Sequence, residues 1–386
     1  MTNNPRIVLA LDKFKGSLTA LAAANAIRDG IRSVNSVVEI DVVPIADGGD
    51  GTVDAAIASG MTGVPIETVG PTGQPVSSLI AVRGGVGIVE LANTCGITLL
   101  PDGILAPLDA HTVGLGRAIS AALDCGCTDI VVGLGGSAST DGGLGALVGL
   151  GARLLDASGA ELAPSARFHC GIAEIDLRGL DRRVRDVRFR IATDVDNPLL
   201  GAHGAVAVFG AQKGVTAALA GGVEKGLAHV GELLEKSTAR LVLSVPGMGA
   251  AGGAAAALTS VLGAEIVSGA DFVNDLLQLP SRIAGASLVV TGEGSFDEQT
   301  LRGKGPAAVI AEALAAGAAI AVVAGRITLS EPTLRSLGVA RAWALLDRVA
   351  EAGVAMRDAA DLLRAVGTEI GAWLLTSQPQ QTQRTQ

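Results

Sequence analysis

Acidic and basic side chains follow five predicted β-strands, each group placed directly after its strand ends. These groups are Asp12, Lys13 and Lys15; Asp47 and Asp50; Asp141; Asp194 and Asp196; and Glu293 and Asp297. In open parallel sheets, ligands bind outside the carboxyl ends of the strands. Carboxylates can hold Mg²⁺ or accept the proton of an attacking hydroxyl, and lysines neutralise phosphate. A single aspartate at such a position is also a common helix cap, so the prediction of phosphoryl-transfer chemistry rests on the whole set.

The densest of these segments is residues 129–156, which predicts a strand, a glycine-rich loop and a helix. Seven glycines fall between residues 133 and 149, and the loop also holds Ser137, Ser139 and Thr140. Glycine lets backbone N–H groups approach an anion closely, and a following helix N-terminus favours negative charge. The loop therefore predicts a phosphate site, and the alternative is a tight strand–helix turn without a ligand.

Two known nucleotide-binding signatures are candidates for this loop. The chain contains no G-x-x-x-x-G-K-[ST] string, so it has no P-loop. Gly133, Gly135 and Ala138 fit the permissive form of the dinucleotide fingerprint, with Asp156 as the candidate ribose acid. A dinucleotide-binding oxidoreductase therefore stays open as an alternative, as does a solute-binding module without catalysis. No G-x-S-x-G motif with a histidine partner supports acyl transfer.

A short motif, D-G-G-x-G, occurs twice. It covers residues 47–51 and 141–145, and both copies lie at predicted strand-to-helix turns. A chain with 53 glycines can repeat such a string by chance, so the shared position at turns is what makes the repeat informative.

Composition narrows the function class. The chain has a net charge of −9, a pI near 5.0, 2% aromatic residues and no basic cluster, which argues against nucleic-acid binding. Its four cysteines form neither a C-x-x-C pair nor a zinc pattern. No signal peptide or membrane-spanning stretch is evident. These features predict a soluble cytoplasmic enzyme that acts on small molecules, as a monomer or a homodimer.

The predicted elements divide the chain into two α/β domains. The chain begins β-α-β-α, changes after residue 64 to short β-like runs typical of an antiparallel meander, and returns to the first rhythm near residue 285. We predict a Rossmann-like parallel-sheet domain from residues 1–65 and 285–376, an inserted α/β domain at 66–284, and a disordered tail at 377–386. Ser17 is the predicted N-cap of a helix over residues 18–33.

Six blocks of the sequence resemble, in order, the motifs of bacterial class I glycerate kinases. They are DKFKGS at 12–17, ADGGDG at 46–51, GLGGSASTDGG at 133–143, ATDVDNPL at 192–199, GAQKG at 210–214 and TGEGSFD at 291–297. The resemblance implies ATP-dependent, Mg²⁺-assisted phosphorylation of D-glycerate, most readily to 2-phosphoglycerate, with 3-phosphoglycerate as the alternative product. It also implies two α/β domains with a cleft between them.

Individual roles are hypotheses from physical chemistry. Asp194 would accept the hydroxyl proton, Lys15 or Lys213 would neutralise the transferred group, and Asp47 or Glu293, with Asp297, would hold Mg²⁺. The glycerate carboxylate needs a cation, for which we name Lys13, Arg302 and Arg326, with Asp50 as a further substrate contact. The predicted nucleotide contacts are Gly133, Gly135, Gly136, Ser137, Ser139, Thr140, Asp141 and Lys213.

Overall fold

The computed structural model describes residues 5–302 and 305–377 and shows a mixed α/β protein. Its strands are β1 (Arg6–Leu11), β2 (Glu39–Val42), β3 (Thr62–Val69), β4 (Pro75–Arg83), β5 (Val86–Glu90), β6 (Asp129–Gly133), β7 (Arg153–Leu155), β8 (Glu174–Asp176), β9 (Arg188–Ala192), β10 (Glu265–Val267), β11 (Leu288–Gly292), β12 (Ser295–Phe296), β13 (Ala319–Ala324), β14 (Arg326–Ile327) and β15 (Val339–Ala344).

The α-helices vary widely in length. They are α1 (Ala20–Val34), α2 (Thr52–Ala58), α3 (Ala92–Cys95), α4 (Val113–Asp124), α5 (Leu144–Gly149), α6 (Ala205–Phe209), α7 (Ala217–Thr238), α8 (Ala250–Leu262), α9 (Gly269–Leu277), α10 (Leu279–Ile283), α11 (Gly305–Ala315), α12 (Glu331–Ser336), α13 (Ala352–Arg357) and α14 (Ala359–Ser377).

The chain divides into two compact units. Unit 1 comprises residues 1–46 and 273–386, and unit 2 comprises residues 47–272. These bounds differ from the predicted ones near 66 and 284. The boundary between residues 46 and 47, about 20 residues before the predicted one, has a physical basis. Helix α2 packs on β4 and β5 of unit 2, and Glu90 of β5 accepts hydrogen bonds from the backbone of Gly51 and Val53. All of the predicted disordered tail except Ser377 lies outside the described residues.

Unit 1 is built on a five-stranded sheet in the order β15-β13-β11-β1-β2, with every pairing parallel. Numbered along the chain, this order is 2-1-3-4-5, the flavodoxin-like version of the doubly wound fold. Its topological switch point lies between β1 and β11. Residues 7–11 of β1 are completely buried, which explains why the strand is a continuous apolar run with no polar alternation.

Helix α1 of unit 1 packs closely along α14. A Cβ atom added at Gly30 would lie 2.0 Å from the carbonyl oxygen of Arg364, and one at Gly367 would lie 2.2 Å from that of Ile27, so both glycines permit the close approach. The predicted N-cap of α1 is wrong. Thr19 caps the helix by accepting from Ala22 N, because the chain between residues 14 and 18 forms a turn that shifts the helix start.

Unit 2 is built on a six-stranded sheet in the order β10-β9-β6-β5-β4-β3. Strands β3, β4 and β5 form the predicted antiparallel meander, and β5, β6, β9 and β10 are parallel neighbours. The order follows the chain without reversal, so this sheet has no switch point. The carboxyl ends of its four parallel strands lie on one edge and end at Glu90, Gly133, Ala192 and Val267.

Both tryptophans of the chain belong to unit 1. The rings of Trp343 and Trp373 are 6.3 Å apart with planes tilted by 60°. The Trp343 indole N–H donates to Glu369 at 2.9 Å, and the Arg341 guanidinium lies 5.0 Å from the Trp373 ring. The pair therefore forms one compact aromatic cluster beside α14.

Candidate functional site

In unit 1, the loops that follow β1, β11 and β13 meet at the switch point. A Cβ added at Gly294 would lie 3.2 Å from Lys15 N, and one at Gly325 would lie 2.5 Å from the Gly294 carbonyl oxygen. Arg326 N donates to that same carbonyl oxygen at 3.0 Å. These contacts bring residues from the three loops into one cluster, which we call the switch-point cluster: Asp12, Lys13, Lys15, Glu293, Ser295 and Arg326.

The switch-point cluster carries cations on its accessible side. Lys15 is exposed, and the Lys13 ammonium lies 3.6 Å from the buried Asp12 carboxylate. Arg326 donates to Ser295 Oγ at 3.3 Å and is otherwise open to solvent. Cations at the carboxyl end of a parallel sheet suit an anionic ligand. The Arg302 side chain lies outside the described residues, so its predicted role stays a prediction.

Two acidic residues of unit 1 are engaged by neighbouring groups. Glu293 accepts from Thr300 Oγ1 at 2.7 Å, and Asp297 accepts from Gln299 N at 2.8 Å and from Ser295 Oγ at 3.2 Å. The Asp297 contacts are those of a residue that fixes a turn.

In unit 2, glycines bring three separate loops together at the carboxyl edge of the sheet. A Cβ at Gly49 would lie 2.9 Å from Gly135 Cα, one at Gly133 would lie 2.6 Å from the Gly48 carbonyl oxygen, and one at Gly48 would lie 2.4 Å from Gly269 Cα. No side chain fits at these points. The glycines therefore serve backbone packing, and the result is what we call the acid–glycine cluster: Asp47, Asp50, Gly135, Gly136, Asp194 and Ser268.

Three hydrogen bonds hold the Asp194 carboxylate of this cluster. Its Oδ1 accepts from Ser268 Oγ at 3.0 Å and Gly269 N at 2.9 Å, and its Oδ2 accepts from Ala270 N at 3.2 Å. Burial raises the pKa of Asp194, these hydrogen bonds oppose the rise, and the Asp47 charge adds to it. The carboxylate thus caps the start of α9 and is electrostatically coupled to a second acid of the cluster.

Sequence reasoning did not identify Glu90, which lies under the same cluster. Its Oε1 and Oε2 accept from Gly51 N and Val53 N, each at 3.0 Å. Burial raises the pKa of Glu90 to about 7, with smaller contributions from the charges of Asp50 and Asp54. Glu90 is the last residue of β5. The pattern that predicted the other acidic site residues, an acid at the end of a strand, could therefore have identified it as well.

The glycine-rich loop after β6 is held by a buried ionic core. The Asp141 carboxylate is 0% exposed and accepts from Ser139 Oγ, Gly143 N, Gly145 N and both the N–H and Oγ1 of Thr112, at 2.7–3.2 Å. Lys213 donates to Ser139 O at 2.5 Å and to Ser137 Oγ at 3.3 Å. Burial lowers the pKa of Lys213 to about 8, although the nearby Asp141 charge opposes this.

Only part of the predicted nucleotide loop is accessible. Gly136 is exposed and Gly135 half-buried, whereas Ser137, Ser139 and Thr140 are buried. The accessible edge also faces Asp50, whose Cβ would lie 3.8 Å from a Cβ on Gly136. The hydroxyls and Asp141 thus shape the loop from inside, and the groups that can meet a ligand directly are the backbone of residues 135–136 and the acids beside it.

The dinucleotide alternative does not fit this loop. Asp156 follows β7, which pairs with β8 in an antiparallel ribbon separate from the six-stranded sheet, and its carboxylate accepts from Ser158 N and Ala160 N. In the dinucleotide fold the ribose acid follows a parallel strand next to the glycine loop. Asp156 is instead a turn residue outside the main sheet.

Acidic side chains of both units are candidate ligands for Mg²⁺. No group of three or more His, Cys, Asp or Glu side chains among the described residues converges on a point that could hold a metal ion. Magnesium is commonly held by one or two carboxylates together with substrate phosphates and water. Asp47 beside Asp194, and Glu293 in unit 1, match that smaller donor set in chemistry.

Within the described residues, no helix is long and apolar enough to cross a membrane.

Comparison with known proteins agrees with the motifs. A profile of the Glycerate kinase family matches residues 7–375. The chain is 37% identical to the glycerate kinase of Bacillus subtilis over 95% of its own length and 97% of that protein. It is likewise 37% identical to the glycerate 2-kinase of Escherichia coli, over 96% and 98% of the two chains.

A solved structure agrees as well. The crystal structure of a Salmonella typhimurium LT2 protein assigned as glycerate kinase 2 superposes with a TM-score of 0.78 at 35% identity, covering 97% of this chain and 99% of that one. The predicted α/β fold, the kinase activity and the family assignment are therefore confirmed. The chain belongs to the glycerate kinase family.

Proposed function

We propose that this chain transfers the γ-phosphoryl group of ATP to D-glycerate and releases 2-phosphoglycerate. The observation that carries the proposal is the acid–glycine cluster, where Asp47, Asp50 and Asp194 surround an accessible edge of glycine backbone. Phosphoryl transfer depends mainly on positioning and on stabilising charge. An edge of open backbone N–H groups beside carboxylates supplies both, provided that a cation accompanies the phosphates.

Asp194 is the proposed general base. The glycerate hydroxyl oxygen would attack the γ-phosphorus, the bond from that phosphorus to the β–γ bridging oxygen would break, and the hydroxyl proton would pass to Asp194. Burial and the Asp47 charge raise the pKa of Asp194, which strengthens it as a proton acceptor compared with an ordinary aspartate. Three hydrogen bonds fix its orientation.

The buried Lys213–Asp141 core is proposed to hold the phosphate-binding edge in shape. Lys213 is 3% exposed and binds the carbonyl of Ser139, so it acts on the loop from within. The rigid loop would then present the Gly135 and Gly136 backbone without paying an ordering cost on binding. The predicted direct contacts of Ser137, Ser139, Thr140 and Asp141 with ATP remain predictions.

Unit 1 is proposed to bind the glycerate carboxylate through the cations of the switch-point cluster. Lys13, Lys15 and Arg326 offer point charges and one planar guanidinium, which suits a small carboxylate. Asp47 in unit 2, or Glu293 with Asp297 in unit 1, would hold Mg²⁺, which would supply positive charge to offset that of the phosphates. We place the enzyme in the cytoplasm, where its cysteines, all free among the described residues, stay reduced.

The central test is a coupled ADP-release assay across D-glycerate, L-glycerate, lactate and tartronate. We expect ADP only with D-glycerate and Mg²⁺, and phosphorus NMR should place the new ester on the 2-hydroxyl. A signal at the 3-hydroxyl would correct the product but keep the kinase. No ADP with any acceptor, or equal ADP without one, would remove the proposed activity.

The base role has its own matched pair of variants. Asp194→Asn removes the proton acceptor, and Ser268→Ala removes only one hydrogen bond of the same cap. We expect Asp194→Asn to lower kcat at least 100-fold and Ser268→Ala to lower it by less than about 5-fold. Similar small losses in both variants would show that Asp194 is a helix cap only.

A further inference from the structure

We propose that the adenine base of ATP binds on an extended segment, residues 104–106, that flanks the glycine-rich loop. The inference rests on the proposed function and names the part of unit 2 that would recognise the nucleotide base. It begins from an unusual surface: Ile104 is 67% exposed and Leu105 is 41% exposed. Side chains of this size are normally buried, and neighbouring exposed ones often mark a ligand or partner surface.

This apolar segment is attached to the loop on one side by main-chain contacts. Gly96 forms a β-bridge with Ser137, and Ile97 N donates to Gly136 O at 2.8 Å. Ala138 of the loop packs in a small cluster with Leu100 and Ala110. The chain from residue 96 to residue 110 therefore lies against the loop at both ends. Ile104 and Leu105 are exposed, and Ala106 packs back against the cluster that holds Ala138.

A second attachment comes from the residue after Lys213. A Cβ on Gly214 would lie 2.8 Å from Leu105 Cβ and 3.3 Å from Pro107 Cδ, and Gly214 has φ +89°. Lys213 itself reaches back to Ser139 and Ser137. Gly214 thus contacts the apolar segment, and the preceding Lys213 binds the loop. We infer that a nucleotide whose phosphates lie on the loop can extend its base to the apolar segment.

The segment also offers polar groups of the kind that read a base edge. Ile104 has φ −77° and ψ 117°, an extended conformation. Within the described part of the chain, the N–H groups of Leu105 and Ala106 have no hydrogen-bond partner. The Ala106 carbonyl accepts from Asp109 N and Ala110 N, so the two backbone N–H groups are the donors on offer. A backbone N–H between apolar side chains can donate to a ring nitrogen of adenine. Ordinary ligand pockets combine apolar lining with a few such polar groups.

Aliphatic side chains supply the stacking surface on this segment. The chain has no tyrosine and six phenylalanines, and no aromatic residue falls within residues 96–110. Ile104 and Leu105 are the exposed large apolar side chains on the chain segment bonded to the loop. A flat base laid on them would cover the surface that now faces solvent.

The test compares Ile104→Asn with Leu241→Asn. Both side chains are 67% exposed in unit 2, so the two changes remove equal apolar surface at different places. We expect Ile104→Asn to raise the KM for ATP about 5- to 20-fold, with kcat and the KM for D-glycerate unchanged. Leu241→Asn should leave all three constants unchanged.

Inorganic tripolyphosphate separates the base from the phosphates. As a competitive inhibitor against ATP, it should keep the same inhibition constant in Ile104→Asn, since it has no base to lose. An unchanged KM for ATP in this variant would overturn the inference, and so would an equal loss of tripolyphosphate affinity, which would indicate a distorted loop. A changed oligomeric state with unaltered KM would assign the surface to contacts between copies. An inactive wild-type enzyme would instead remove the proposed function.

Discussion

The two copies of D-G-G-x-G share a backbone device but differ in what surrounds it. In each, the Asp Oδ1 accepts the N–H of the residue two positions later at 3.2 Å, from Gly49 in the first turn (47–51) and from Gly143 in the second (141–145). Each turn also contains glycines with φ between +63° and +96°. The repeat noted in the sequence is therefore a genuine structural motif.

The surroundings of the two aspartates are opposite. Asp141 in the second turn is completely enclosed and accepts from five donors, and its charge acts on the nearby buried Lys213 ammonium. Asp47 in the first turn is half-buried at the sheet edge, beside Asp194. The fourth position follows the same division, with Leu144 buried and Asp50 partly open. One motif thus provides structure in one place and candidate chemistry in the other.

The largest expected effect is on the free energy of unfolding and concerns the second D-G-G-x-G turn, residues 141–145. Asp141→Asn turns an acceptor oxygen into a donor facing N–H groups and removes the negative charge that favours the buried Lys213 ammonium. Leaving a buried donor unsatisfied costs about 1–3 kcal/mol, so the loss of several acceptor contacts here should total about 3–5 kcal/mol. We expect a loss of that size in the free energy of unfolding, measured by urea titration with circular dichroism. Asp47→Asn is the matched control, and an equal loss in both variants would erase the distinction between the turns.

The next effect tests the copy at the sheet edge. Asp47→Asn should lower kcat at least about 100-fold, which corresponds to about 2.7 kcal/mol, while changing the free energy of unfolding by less than about 1 kcal/mol. Because the Asp47 charge raises the pKa of Asp194, its removal should also lower that pKa. The acid limb of the kcat profile should then move to lower pH.

The matched control for this second test is Asp54→Asn, which removes one negative charge from α2 that does not contribute to the raised pKa of Asp194. The acid limb in that variant should stay where it is. A shift of equal size in both variants would mean that general surface charge, and not the neighbouring carboxylate, sets the profile.

The smallest effect concerns the support beneath the first turn. The pKa of Glu90 is raised to about 7 from an ordinary 4.5, so the folded state binds its proton more tightly than the unfolded state does. Its stabilisation is therefore complete below about pH 4.5 and is lost as the pH rises through 7. On this basis, wild-type stability should fall by about 2 kcal/mol between pH 5 and pH 8 from this residue alone.

Glu90→Gln should abolish that slope, although its amide will lower stability at every pH because both carboxylate oxygens accept backbone N–H groups. Glu67→Gln, at an exposed glutamate of β3, is the control that should retain the slope. Chemical unfolding at several pH values measures both. A Glu90→Gln protein with the wild-type slope would show that another group titrates in this range.

The sequence predicted the strand ends because a buried strand followed by Gly and Asp is a local pattern. It predicted Asp12, Asp47, Asp194 and Glu293 at sheet edges for that reason. It could not predict that Gly49 lies against Gly135 or that Asp141 is enclosed, since these depend on which loops meet in space. Strand β15 was not predicted because three of its six residues are exposed in succession and the strand shows no apolar alternation. The domain boundary at residue 47 depends equally on a long-range contact, from Glu90 to the start of α2.

The placement of the two indoles gives the molecule a built-in optical label for one half only. Excitation at the red edge of tryptophan absorption reports on Trp343 and Trp373 in unit 1, and unit 2 contributes no emission because it contains neither tryptophan nor tyrosine. Ligand titrations followed by tryptophan emission therefore report on unit 1 alone in an unlabelled wild-type protein. D-Glycerate should alter the emission, and an ATP analogue added alone should alter it less.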